Sequence, residues 1–301
     1  MERAMAKKRD AIVRVRIPFC VRDDAFRRGG MILGWDSARM ARYADALVAE
    51  IEANARQFDD CRVRAVRLGG GVASNAGADV ARIVRAVRQA CDVAEDAPVT
   101  MRSSIANISG ATMPFFRRAG VTRFDFEMLS LNPVDFARLN RVDALGDLPI
   151  VCDHFLHSYA NDSLGLVLAF GHRAREGEDV ALNVRRTALA AARSHATHVE
   201  LAQVASELVA SPEEVARQLD GMRDALAGRG FVEYLPLRFA REGKRDRLAL
   251  LEEAGAPCIG FGLGAVTRID GVESANTQDL ERYCAASGDF SAITAKVRAV
   301  G

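Results

Sequence analysis

The sequence predicts an α/β fold built around a parallel sheet, either an open barrel or a doubly wound sheet, with an α+β extension behind it. Three observations carry this. Short β-branched runs alternate with helical periods over about 200 residues, the mark of strand–helix–strand units joined in parallel. A clear helix start, Ser211-Pro212-Glu213-Glu214, follows the alternation: serine caps, proline takes the first helical position, and Glu214 can complete a capping box. Beyond Gly228 and Gly230 the pattern becomes irregular and richer in glycine. The barrel or sheet unit is placed at 1–205 and the α+β extension at 206–301.

Each element has its own reason. Ala11–Ile17 reads as a strand with Val13, Val15 and Ile17 on one face and Arg14 and Arg16 on the other. Ser37–Ala55 reads as a helix with Met40, Tyr43, Ala44, Leu47 and Ile51 on one stripe. Arg62–Leu68 is the next strand, and Asp79–Cys91 the next helix, with Val80, Ile83, Val84 and Val87 at helical spacing. Pro98–Ser103, Val121–Glu127, Gly165–Phe170 and Thr197–Leu201 are further strands, and Glu178–Arg193 is a further helix.

With 301 residues and 49% hydrophobic side chains, the chain can bury a full-sized core as one large domain or two modest ones. Lys+Arg 41 against Asp+Glu 40 gives no electrostatic reason to expect a nucleic acid or an anionic membrane as partner. Short arginine stretches such as Arg14-Val15-Arg16 read as solvated faces. No apolar run approaches the roughly 20 residues of a membrane span, and no secretory signal is evident, so a cytoplasmic location is expected. The six cysteines are far apart, which suits reduced, buried thiols rather than a disulfide framework.

Four segments, in order, resemble the oxygen-independent coproporphyrinogen oxidase and haem-chaperone branch of the radical S-adenosylmethionine proteins. Ile17-Pro18-Phe19-Cys20 resembles the entry to that family's CxxxCxxC cluster loop, and Leu68-Gly69-Gly70-Gly71 its glycine triplet. Ala119-Gly120-Val121-Thr122-Arg123, then Ser130, Asn132 and Leu139-Asn140-Arg141, follow its central stretch. Tyr234, Phe239-Ala240-Arg241, Gly243, Gly262-Leu263-Gly264-Ala265, Asn276 and Tyr283 follow its C-terminal pattern. The resemblance covers roughly residues 11–285. It implies a partial barrel of about six βα units with the site at the C-terminal ends of the strands.

The same resemblance shows where the chain departs from the family. A 4Fe–4S cluster that cleaves S-adenosylmethionine takes three thiolates from one loop. Counting from Cys20, the other two fall on Asp24 and Arg27, and arginine has no lone pair to donate. Phe26 keeps the aromatic position. The family's glutamate at the end of its third strand becomes Arg102, its glutamine before Ser130 becomes Leu129, and its ribose-binding aspartate becomes Val167. Gly69, Gly70, Gly71 and Arg141 remain. No 4Fe–4S cluster is therefore expected, and S-adenosylmethionine binding is disfavoured while staying open.

His172 follows Phe170-Gly171 at a strand end and is expected to face the barrel mouth with Arg102, Asp24, Arg27 and Arg141, making it polar and net basic. Arginine forks favour carboxylate or phosphate ligands. The leading expectation is a cluster-less protein that binds an anion there: haem or another tetrapyrrole, or a small carboxylate or phosphate compound. Cys20, Phe26, Gly69–Gly71, Arg102, Ser130 and Arg141 would line that site. The alternatives are a non-radical enzyme using His172, Asp24 and Glu127 for acid–base work, and a silent accessory subunit of an intact radical enzyme or a homodimer. His154 and His157, paired with Asp153 or Cys152, could bind zinc from one helix face, but no second ligand cluster stands out by spacing and no metal is expected. For His195 and His198, packing or a backbone hydrogen bond is the expected role.

Overall fold

The computed structural model describes residues 8–20, 32–132, 134–135, 147–158, 163–204, 208–286 and 288–299. Six strands alternate with five helices along the chain: β1 (Arg9–Arg16), α1 (Ser37–Asn54), β2 (Cys61–Gly69), α2 (Asp79–Ala90), β3 (Val99–Ser103), α3 (Thr112–Arg118), β4 (Arg123–Leu129), α4 (Asp147–Ser158), β5 (Leu164–Phe170), α5 (Val180–Arg193) and β6 (His198–Gln203). These strands pair in chain order and all in parallel, so each helix is a crossover. The fold is mixed α/β with one large, mostly parallel sheet.

Residues beyond 206 extend that sheet at both ends. After α6 (Pro212–Ala227), strands β7 (Val232–Leu235) and β8 (Arg238–Ala240) add antiparallel beyond β6. After α7 (Arg247–Glu253), β9 (Cys258–Phe261) pairs parallel with β1 on the other side. Strands β10 (Val266–Ile269), β11 (Val272–Asn276) and β12 (Thr294–Ala299) then add antiparallel, with α8 (Leu280–Ala285) and α9 (Phe290–Ile293) before the last. Among the described residues the order is β12-β11-β10-β9-β1-β2-β3-β4-β5-β6-β8-β7.

Alternation along the strands sorts side chains into two layers. Val13, Val15, Val66, Leu68, Met101, Phe124, Phe126 and Leu166 join the main core beneath the helices. The opposite face is the inner face of a partial barrel, where both sides of a strand are interior. Helix α7 closes part of it, with Leu248 packed on Ile12, Ala65 and Cys258. Helix α6 starts as its sequence requires: the Ser211 hydroxyl accepts from the Glu214 amide at 3.3 Å. The Glu214 carboxylate turns to Arg217 and Gln218, so the reciprocal half of the capping box is replaced by side-chain pairs. No helix of the described residues is long and apolar enough to cross a membrane.

Candidate functional site

The inner face carries a ladder of buried charge. Arg102 on β3 reaches Glu127 on β4 at 3.2 Å and Glu200 on β6 at 3.2 Å. Arg67 on β2 reaches Asp246 at 2.6 Å and Asp125 at 3.3 Å, and Arg123 holds the other Asp125 oxygen at 3.1 Å. Burial pushes the Glu200 carboxyl up, but Arg102, Arg238 and Arg67 outweigh it and hold it down to about 2. Asp125 is likewise buried yet held below the usual carboxylate range by Arg123 and Arg67. His198, also on this face, is pushed down to about 3 by burial and then by Arg123, and its Nε2 lies 2.7 Å from the Tyr234 hydroxyl.

This corrects two expectations. Glu127 is fully buried in an ion pair and is not an acid–base group facing an open cavity. Arg102 is bracketed by two carboxylates, so it is not a free cation at a net basic mouth. The Arg102 charge is thus matched by acids on two other strands.

The mouth over β4, β5 and β6 is apolar. Leu129, Val167, Ala169 and Val204 form a buried cluster, with Leu208 and Val209 packed on it. Leu129 and Val167 thus pack in one cluster. His172 follows the C-terminal end of β5 and bridges to Val209. It is 1% exposed, its Nε2 lies 3.6 Å from Asp135, and Asp135 accepts from Ser130 at 2.6 Å. The Gln218 side chain of α6 fixes this turn, donating to the His172 carbonyl and accepting from the Gly171 amide. His172, Asp135 and Ser130 are therefore buried together at the C-terminal ends of β4 and β5.

A second part of the mouth is open and charged. At the C-terminal ends of β1, β2 and β9 lies a cavity of about 190 Å³ lined by Arg14, Arg16, Arg67, Gly69, Gly70 and Gly264, with Val15, Ala265 and Val266. The arginine stretch read as a solvated face thus lines the barrel interior; period-two alternation separates two faces without saying which is wet. The glycine triplet has a packing reason. A Cβ on Gly71 would lie 2.5 Å from the Ile17 carbonyl oxygen and 2.6 Å from the Phe19 amide nitrogen, and one on Gly70 would overlap the Arg16 side chain.

One buried acid, which the sequence reading missed, fixes the far wall of this cavity. Glu50 on α1 accepts from the Gly262 amide at 2.7 Å, the Asn276 side-chain amide at 2.7 Å and the Tyr283 hydroxyl at 2.5 Å. Tyr43, one helical turn pair earlier on the same stripe, donates to the Arg16 carbonyl at 2.5 Å and accepts from the Leu263 amide at 3.0 Å. The residues of the C-terminal pattern, Gly262, Asn276 and Tyr283, thus converge on one carboxylate. Burial pushes Glu50 up to about 7 against three hydrogen-bond donors.

Glu50 therefore gives a signed pH effect. The unfolded carboxyl ionises near 4.5 and the folded one near 7, so stability falls as pH rises through that window, by about 3 kcal/mol from this group. Glu50→Gln is expected to abolish that decline. It also loses at least one hydrogen bond, at a cost of about 1–3 kcal/mol. Urea unfolding of both proteins at pH 5 and pH 8 measures this directly.

Asp24, Phe26 and Arg141, together with Arg27, lie outside the described residues. Cys20 is buried, 4% exposed, and follows Phe19 in a two-residue pairing with Leu33–Gly34. The next cysteine in the chain is Cys61. A single thiol in this loop is fewer than the three thiolates that such a 4Fe–4S cluster takes from one loop, and Val167 packs among apolar side chains. His157 turns back to the Asp153 carbonyl at 2.8 Å, and among the described residues no group of three His, Cys, Asp or Glu could hold a metal.

Comparison with known proteins agrees with this architecture. No protein-family model matches the chain. It is 26% identical over 295 residues to anaerobilin synthase of Escherichia coli O157:H7, covering 92% of this chain and 65% of that protein. It is 29% identical over 260 residues to the heme chaperone HemW of Mycobacterium tuberculosis H37Rv, covering 78% and 64%. The chain thus spans a little under two thirds of the length of these relatives. Among solved structures, Escherichia coli coproporphyrinogen III oxidase, a radical S-adenosylmethionine enzyme, superposes with a TM-score of 0.83 at 17% identity over 99% of this chain and 74% of that one. The chain is a homologue of anaerobilin synthase and HemW, built on the fold of the radical S-adenosylmethionine enzyme coproporphyrinogen III oxidase.

Proposed function

We propose that this chain is a cluster-less member of its lineage that binds a small anionic ligand at the barrel mouth and performs no radical chemistry. The observation that carries the reading is Arg102, locked between Glu127 and Glu200 where the resemblance expects a lone glutamate. The apolar cluster around Leu129 and Val167 and the absence of a second cysteine between Cys20 and Cys61 support it. The open cavity lined by three arginines supports the anionic ligand. At about 190 Å³ it falls below the roughly 300–1,000 Å³ of pockets that enclose drug-sized ligands, which favours a small compound over a tetrapyrrole.

Calorimetric titration with S-adenosylmethionine tests the loss of the cosubstrate site. The expected result is no saturable heat at millimolar ligand, because the positions that would meet the nucleoside now hold valine and leucine. Micromolar binding would overturn the proposal. A parallel haem titration is expected to give no saturable Soret shift.

A further inference from the structure

We propose that the ligand seat is the cavity between β1, β2 and the Gly262–Ala265 loop, and that its occupant is a tetrahedral oxyanion, a phosphate or the phosphate group of a small phosphoester. This rests on the anion-binding reading above and gives it a place and a chemical class.

The charge of the cavity wall is the first argument. Arg14 and Arg16 project from alternate positions of β1, and Arg67 joins them from β2. No carboxylate is among the described lining residues. Glu252 pairs with Arg14, and Asp125 and Asp246 pair with Arg67, and none of these three acids lines the cavity. Arg14 and Arg67 each keep a buried Nε with no hydrogen-bond partner, at a cost of about 1–3 kcal/mol for each donor left unmet. Arginines arriving from two strands suit a ligand with several acceptor oxygens and close to two negative charges. A phosphate has both, whereas one carboxylate is filled by a single fork.

The second argument is the shape of the backbone. Gly70 at φ +89° and Gly264 at φ +65° present bare backbone to the cavity from its two walls. Side chains at these positions would be strained, and one at Gly70 would overlap Arg16. The Glu50 and Tyr43 hydrogen bonds tie the Gly262–Leu263 turn to α1 and to the Arg16 carbonyl, so both walls are held before any ligand arrives. Such preorganisation lowers the ordering cost of binding.

The test is calorimetry and thermal unfolding of the whole chain with inorganic phosphate at low ionic strength. Arg14→Gln is the main variant, because Arg14 is half-exposed and its loss spares the buried network; Arg42→Gln, on the outer surface, is the control. Saturable phosphate binding, weakened about tenfold by Arg14→Gln and unchanged by Arg42→Gln, is the expected result. Tighter binding of glycerol phosphate than of free phosphate, with the same Arg14 dependence, would assign the phosphoester source. Phosphate binding that ignores Arg14→Gln overturns the seat. Binding of citrate but not phosphate overturns the oxyanion class and leaves the anion-binding reading standing. Binding of no anion overturns both.

Discussion

Arg102→Met is expected to destabilise the protein by about 3–5 kcal/mol, because it removes the cation that two buried acids share. Glu127 is fully buried and would lose its ion pair with Arg102, while Glu200 would keep Arg238 at 3.6 Å and the charge of Arg67. The effect should be strongly non-additive. Arg102→Met with Glu127→Leu removes both charges of the most buried pair and is expected to recover most of the loss, since apolar replacement of a whole buried pair is often near neutral. Urea unfolding of both single variants and the double gives the coupling. A single-variant loss below about 1 kcal/mol would mean that water reaches this pair and that the ladder is a surface feature.

Acid should destabilise the protein well above the usual carboxylate range, and His198 is the reason. Its folded pKa is pushed down to about 3, against 6.5 when unfolded. Above pH 6.5 both states are neutral and the group contributes nothing to the slope. As pH falls from 6.5 towards 3 the unfolded chain takes a proton that the folded chain refuses, and stability falls by on the order of 4 kcal/mol. Glu200 adds to the loss lower down: its stabilisation is full above 4.5 and is lost as pH falls towards about 2. Glu50 has the opposite sign between 4.5 and 7, so the slope is best measured in the Glu50→Gln background. There, His198→Gln should flatten stability between pH 6.5 and 4.5. An unchanged slope would show that folding leaves the His198 pKa unshifted.

The architecture was legible because each strand–helix unit declares itself locally. The strands found by β-branched runs lie within about two residues of the observed ones, and Ser211-Pro212 starts its helix as read. The C-terminal pattern was visible as residues and obscure as physics: only the fold shows Gly262, Asn276 and Tyr283 meeting at Glu50. The signal was present, for Glu50 falls on the Tyr43–Leu47 stripe of a helix whose other stripe members are mostly apolar. A charge on a core stripe calls for buried partners. The ladder was less accessible. Arg67, Arg102, Asp125, Glu127 and Glu200 come from four strands, and their pairing depends on sheet register, which no local pattern encodes. The turn at Gly171, at φ +88°, and the Gln218 clasp on the Gly171 amide and the His172 carbonyl are likewise tertiary features that no local pattern encodes.

Anaerobic reconstitution with iron and sulfide, followed by desalting and metal analysis, tests the central claim most directly. The loop after Cys20 supplies one thiol where three are required. The predicted result is far less than one cluster per chain, with no iron–sulfur absorption and no 5′-deoxyadenosine when reductant and S-adenosylmethionine are added. Four irons and four sulfides per chain, with reductive cleavage of S-adenosylmethionine, would contradict it.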